Sequence, residues 1–247
     1  MTQTDVEIGV LIYSGAQQAA VLGMTDLFQV AAGIAESKRP GAPRLRVTHW
    51  RFGAGFEPER LSGDGADNKT SPEVLICPPS LDPPRPESLP AEIMCWLRAQ
   101  YDAGVTLASV CAGAFLLAES GLLEGRAATT HWMYAETFRQ RYPGIKLDSD
   151  RLIIDEGDII TAGGAMSWTD LGLKLVDRFL GPNVMIEPAR MLLIDPSGRE
   201  QRYYSAFSPN LTHGDSAILK VQHWLHGTNA RETSLAALSA KAELEER

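Results

Sequence analysis

Apolar residues fill Val6 to Tyr13 almost without interruption until Ser14-Gly15 breaks the run, which is the pattern of a strand covered on both faces of a parallel sheet. From Gln17 to Ala35 the period changes. Ala20, Met24, Leu27, Phe28 and Ala31 recur every three or four residues and predict a helix with one buried stripe. Leu45 to Phe52, Glu73 to Cys77 and Val105 to Cys111 read as further strands, with a helix from about Pro90 to Tyr101. After Cys111 the run AGAFLLAES, closed by Gly121, reads as a buried helix, Arg126 to His131 as a strand, and Trp132 to Arg141 as a helix stopped by Pro143-Gly144. Asp155-Glu156-Gly157 between two β-rich runs marks a hairpin turn, so antiparallel strands are expected late in the chain. Met166 to Leu180 places Trp168, Leu171, Leu175 and Phe179 at helical spacing and stops at Gly181-Pro182. Alternating strands and helices predict a mostly parallel sheet with helices packed on it.

Toward the C-terminus, His213 to Leu225 carries Ala217, Ile218, Val221, Trp224 and Leu225 on one face and ends at Gly227, an amphipathic helix. Thr233-Ser234 then offers an N-cap for a new helix in SLAALSAKAELEER.

Composition narrows the function. With 247 residues, 44% of them hydrophobic, the chain buries a core without staples, and it has no repeat or low-complexity tract to suggest a second large domain. A net charge of −8 argues against this piece gripping a nucleic acid by itself, because displacing counterions needs concentrated Lys and Arg. Three cysteines at unpatterned spacing suggest neither a disulfide framework nor a metal site, so no metal or other cofactor is expected and a reducing cytoplasm fits best. The N-terminus lacks a basic region before its apolar run, and no apolar stretch approaching ~18 residues is expected, so neither a signal peptide nor a membrane span is expected.

The candidate chemistry lies in VTLASVCAGAFLLAESG, residues 105–121, where Cys111 stands at the point where an apolar strand turns into a helix. Ala112 and Gly113 are small enough for the turn. The following helix would aim free N–H groups and partial positive charge at the thiol, and both effects predict a lowered Cys111 pKa. The plainer alternative is a buried cysteine acting as a small hydrophobe.

The segment SVCAGAFLLAESGLLEGRAATTHW resembles the core motif of PfpI-like proteins (class I glutamine amidotransferase-like), in the branch where that domain precedes an AraC-type helix-turn-helix domain. The resemblance runs from about Val6 to Pro196, through EVLICPPS, DRLIIDEGDIITAGGAMSWTDLGLKLVDRFLG and EPAR. It implies a flavodoxin-like three-layer α/β sandwich with Cys111 at the carboxyl end of a central strand, where open α/β sheets bind ligands, and His131 beside it. It also implies a division into a ligand-sensing domain at 1–196, a connecting segment at 197–230 and, from 231 to 247, the start of an AraC-type DNA-binding domain whose remainder lies beyond this sequence.

Departures from the family pattern bear on catalysis. Enzymes of the superfamily set an acid on the first helix against the cysteine, in the isonitrile-hydratase-like branch as a Leu-Asp pair; here that pair reads Leu22-Gly23. Asp26 follows about 300° around the helix and one turn away. The His-x-Glu pair of a glutamine amidotransferase reads His131-Trp132-Met133. Pro79 stands where many relatives have a glycine and offers no N–H, while Ser80 and Ala112 keep theirs.

The resemblance therefore implies a non-catalytic sensor. It would bind a small polar metabolite, amino-acid-like or an amine, among Cys111, Ala112, His131, Ser80, Gly23 and Asp26, act as a homodimer, and contact DNA only through the missing C-terminal domain. Two alternatives stand beside it. One is a cysteine hydrolase or hydratase using Cys111 and His131, with Asp26 standing in for the missing acid. The other is a redox sensor at an acidic Cys111.

Overall fold

The computed structural model describes residues 5–52, 58–62, 71–82, 90–195, 200–201, 214–228 and 230–244. The predicted domain boundary at 196/197, the start of the His213 helix and the last three residues lie outside this set. Contacts divide the chain into two compact units, Met1–Ser205 and Ala206–Arg247.

The first unit alternates strand and helix as expected. Strand β1 (Asp5–Ile12) feeds helix α1 (Gln18–Lys38), and strands β2 (Arg44–Phe52), β3 (Pro58–Ser62) and β4 (Val74–Cys77) follow. Helix α2 (Ala91–Asp102) leads to β5 (Thr106–Val110), a 3-10 turn at Cys111–Gly113 and the short α3 (Ala114–Glu119). Beyond these come β6 (Ala127–Ala128), α4 (Ala135–Arg141), β7 (Lys146–Leu147), β8 (Ile153–Asp155), β9 (Ile159–Ala162), α5 (Trp168–Leu180) and α6 (Pro182–Met191).

The main sheet runs β3-β2-β1-β4-β5-β9-β8. Its five inner strands are parallel, and only the edge pairs β2/β3 and β8/β9 are antiparallel. Helices α1, α5 and α6 contact one another, and the α1 and α5 stripes cover Val6, Ile8 and Val10 on one face of the sheet; Ile93, Leu97, Phe115 and Phe138 pack on the other with Leu11 and Leu107. The architecture is the three-layer, mostly parallel sandwich that the alternating pattern implied.

Four local expectations need correction. The strand expected at Arg126–His131 shrinks to two residues, which pair with Lys146–Leu147 in a separate ribbon, because the Thr129 N–H donates to Thr161 Oγ1 and the Thr130 carbonyl accepts from Gln201 Nε2, so these backbone groups bond side chains instead of a ladder. Helix α4 begins only at Ala135, after a 3-10 turn over Trp132–Tyr134. Gly181, at φ 84°, stops α5 as expected, but Pro182 at the first position of α6 starts a new helix at once. Finally, α1 is long and apolar enough to cross a membrane by length and composition. Here its apolar residues, Ala20, Val21, Met24, Leu27, Phe28, Ala31 and Ala35, are buried in the core.

In the second unit, helices α7 (Ser216–Thr228) and α8 (Leu235–Ala242) pack on each other. Asp215 Oδ1 accepts from the Ala217 and Ile218 N–H groups, and Ser234 Oγ from that of Ala237 at 3.3 Å, so the predicted N-cap of α8 is present.

The apolar pattern of β1 hides one charge. Glu7 is 6% exposed and meets Arg46 at 2.9 Å, Thr48 Oγ1 at 2.9 Å and the buried Arg60 guanidinium, which in turn lies over the Trp50 ring. This cluster ties edge strand β3 and β2 to β1. Glu7→Ala would remove the carboxylate that both guanidiniums face, and a loss of one partner from a buried pair costs about 3–5 kcal/mol. Urea unfolding should register a loss of that order, against well under half of it for the exposed Arg51–Glu59 pair disrupted by Glu59→Ala.

Candidate functional site

Strand β5 delivers Cys111 to the carboxyl edge of the sheet, between the ends of β4 and β9. Cys111 takes φ 54°, a left-handed backbone rarely tolerated by a residue with a side chain. Two features hold it there. Gly113 sits so close to the end of β4 that a Cβ would lie 2.2 Å from the Cys77 carbonyl oxygen, and the Thr130 hydroxyl donates to the Cys111 carbonyl at 2.8 Å. The elbow read from the sequence is a real strained turn.

The facing wall comes from the first turn after β1 and the CPPS segment. Tyr13 donates its hydroxyl to the Pro78 carbonyl at 2.7 Å, and the Gln17 N–H donates to the Pro79 carbonyl at 2.7 Å. Pro79 has no N–H to offer, yet its carbonyl anchors the start of α1. Ser80 is buried and bridges to Ala16; its Oγ accepts from the Asp82 N–H at 3.3 Å. A Cβ at Gly15 (φ 82°) would lie 2.8 Å from that oxygen, so the turn requires glycine both for its backbone and for its space.

The thiol is in the opposite state from the one expected. Cys111 is 2% exposed, and burial pushes its pKa up to about 11, with the Ala112 N–H pulling in the other direction. Desolvation wins because the helix behind the sulfur is a 3-10 turn followed by only six α-helical residues, so little dipole accumulates, and one N–H is a modest offset. Cys77 is likewise pushed up to about 12 by burial. Burial likewise pushes the Tyr13 and Tyr134 hydroxyls up, so both stay protonated beside these thiols. A redox sensor at an acidic Cys111 loses its premise.

His131 is half-buried and caps the 3-10 turn that follows it. Its Nδ1 accepts from the Met133 N–H at 3.1 Å, and burial lowers its pKa, so the ring is neutral near pH 7 and the hydrogen bond assigns its proton to Nε2. In that form its free nitrogen is a donor. Thr130 and Tyr134 bring this segment to Cys111, but among the described residues His131 makes no hydrogen bond to the sulfur.

No carboxylate faces the thiol from α1, whose buried residues are all apolar. Gly23 is there for packing: a Cβ on it would lie 2.5 Å from the Trp168 ring, which covers that stretch of the helix, with the indole N–H buried and lacking a partner among the described residues. Asp26 is exposed on the far side. The Thr130 hydroxyl therefore ties the His131 segment to Cys111 and Ala112, Ser80 stands in the wall built from the first turn after β1, Gly23 is occupied by its packing on Trp168, and Asp26 is exposed. Among the described residues no group of three or more His, Cys, Asp or Glu is placed to hold a metal ion.

Four residues around the site escaped the sequence reading. Tyr13 was legible only as the end of a strand, Thr130 and Tyr134 lay in segments read as strand and helix, and Gln201 stands in a stretch with no apolar period. Gln201 is buried and bonds both neighbours of His131.

Residues 82–178 match the family model described as the DJ-1/PfpI family. Over 99 residues the chain is 36% identical to the HTH-type transcriptional regulator CdhR of Pseudomonas aeruginosa, a stretch covering 40% of this chain and 29% of that protein. It is 31% identical over 107 residues to an isonitrile hydratase of Pseudomonas putida, covering 43% of this chain and 46% of the hydratase. The crystal structure of an AraC family transcriptional regulator from Pseudomonas putida superposes with a TM-score of 0.58 at 15% identity, covering 76% of this chain and 99% of that one, which shows a shared fold. Each matched stretch spans less than half of its curated relative's length.

Two outcomes test this geometry. Gly113→Ala drives a methyl into backbone and should cost about 1–3 kcal/mol or more, read as a lower urea midpoint than Gly33→Ala, which meets open space. Iodoacetamide at about pH 7.5 should alkylate the exposed Cys95 well before Cys111. Because the Cys111 thiolate fraction rises about tenfold per pH unit below its pKa, its labelling should climb steadily toward pH 11 by peptide mass spectrometry. Equal labelling of the two at neutral pH would contradict the buried, protonated thiol.

Proposed function

We infer, from the premise that this chain carries a DJ-1/PfpI domain, that it is the ligand-sensing part of an AraC-type DNA-binding transcription regulator and that its cysteine site binds without turning over. The observation that carries this reading is the thiol: buried, pushed to about 11, and facing a helix whose buried side has no acid. Cysteine catalysis requires a thiolate or a base to make one. A neutral His131 that keeps its proton on Nε2 is a hydrogen-bond donor, suited to holding a ligand's oxygen.

The ligand class proposed is a small polar metabolite, amino-acid-like or an amine, held among Cys111, Ala112, Ser80 and His131. Similarity to the regulator CdhR and to an AraC family structure supports the regulatory role. On this reading residues 1–196 sense, 197–230 connect, and α8 opens a helix-turn-helix domain that reaches DNA in the cytoplasm, working as a homodimer.

A second reading, a cysteine hydratase or hydrolase, is favoured by the similarity to the isonitrile hydratase. The two separate in one pair of assays. Saturation at a hundred times Kd adds about 2.7 kcal/mol, so a thermal-shift panel of small carboxylates and amines should contain a compound that raises Tm by several degrees, with the gain reduced in His131→Ala. Isonitrile or amide turnover should stay at background. Turnover abolished by Cys111→Ser, with no stabilising compound in the panel, would replace the sensor with the enzyme.

A further inference from the structure

Gln201 is 2% exposed although nothing in its surrounding sequence forecasts burial. Its Oε1 accepts from the Trp132 N–H at 3.2 Å. Its Nε2 faces the Thr130 carbonyl at 2.9 Å, the Arg151 carbonyl at 3.0 Å and the Thr129 hydroxyl at 3.1 Å, so the two amide hydrogens are shared among three oxygens. Its own N–H donates to the Asp150 carbonyl at 2.9 Å, and the neighbouring Glu200 accepts from the Leu152 N–H at 3.3 Å. Gly163, just past β9, makes the space: a Cβ there would lie 1.9 Å from the Gln201 amide nitrogen. One side chain thus clasps the residues on either side of His131 and ties them to the 150–152 loop.

The same residue lies close to the end of the first unit at Ser205, on the chain that leads into the second. Thr130 completes the path inward, since its carbonyl is held by Gln201 and its hydroxyl holds the strained carbonyl of Cys111 at 2.8 Å. We propose that Gln201 is a latch: a positioning residue whose seating between the 150–152 loop and Gly163 sets the conformation of the Thr130–Trp132 segment, and with it the ligand site at Cys111. Withdrawing Gln201 takes the acceptor from the Trp132 N–H and the amide donor from the buried Thr130 carbonyl at once, so segment and latch move together instead of drifting independently. Coupling of this kind is reciprocal, and whatever displaces Thr130 from the Cys111 side also loosens Gln201.

The latch takes its biological sense from the sensing reading, but its test needs no ligand. Hydrogen exchange by mass spectrometry on the full chain would compare the wild type with Gln201→Ala, Gln201→Glu and Gly163→Ala. Gln201→Glu keeps an acceptor for Trp132 but no donor for the two carbonyls, and Gly163→Ala expels the amide without altering it. All three are expected to speed exchange in a peptide spanning 129–134 by at least tenfold, together with one that covers 150–152, while β1 and β5 keep wild-type rates. The His131 titration, followed by NMR, should rise toward its ordinary value as the ring is released from burial. Faster exchange confined to the peptide covering 150–152 would reduce Gln201 to a passive anchor and overturn the latch. A uniform rise across the sheet, or wild-type protection in Gln201→Glu, would overturn it equally. A failed ligand screen would leave a positive latch result standing, and a failed latch would leave ligand binding standing, so the two ideas fall separately.

Discussion

A cysteine backbone in the left-handed region is held against a cost of roughly 1–3 kcal/mol, and much of the surrounding architecture serves to impose it. Gly113 gives up its side chain so that the turn presses on the end of β4, and Thr130 spends its hydroxyl on the carbonyl that the turn exposes. Tyr13 and Gln17 hold the Pro78 and Pro79 carbonyls on the other side. The elbow therefore projects one sulfur into a fixed position at the edge of the sheet, and every further property of the site follows from what surrounds that sulfur.

What surrounds it is dry: Cys111 is buried, and the polar groups near it, the Tyr13, Thr130 and Tyr134 hydroxyls, are neutral. An elbow of this shape serves catalysis when a carboxylate or a base lowers the cost of the thiolate, and in this chain the buried face of α1 supplies Ala20, Val21 and Met24 instead. Water is excluded from the sulfur and no charge replaces it, so the proton stays. The same exclusion suits recognition, because polar groups that are fixed and desolvated discriminate among ligands by what they leave unpaired. Gly23 illustrates how the space was reassigned. Its missing side chain admits the Trp168 ring, and α1 is locked to α5 by that packing.

The polar residues that matter most are buried ones inside apolar patterns. Glu7 sits in a strand that reads as continuous hydrophobe, and it is stable there because two guanidiniums and a threonine hydroxyl from β2 and β3 converge on it. Gln201 is the counterpart near the site, satisfied by backbone groups from segments some 50 to 70 residues away in sequence. Each is a long-range agreement among elements, and each ties a peripheral element, an edge strand in one case and the His131 segment in the other, to segments distant in the chain.

The alternation of β1, α1, β2, β4, α2, β5 and α3, the mostly parallel sheet, the hairpin at Asp155–Gly157 and the placing of Cys111 at a strand-to-helix turn were legible in the amino-acid sequence, whereas edge strand β3 and helix α6 were not. These depend on period, on turn chemistry and on small residues at fixed offsets, which are local quantities that a sequence displays. The ionisation state of Cys111 was not legible. The local rule, a helix N-terminus behind a thiol, pointed down, while burial by α1 and by the ends of β4 and β9 pushed it up, and burial is a sum over segments distant in the chain. Likewise the short β6, the solvent-facing Asp26 and the buried Gln201 were decided by partners that no window of neighbouring residues contains. Sequence determined where a reactive atom would stand; only tertiary packing, by removing water from it, decided what that atom is fit to do.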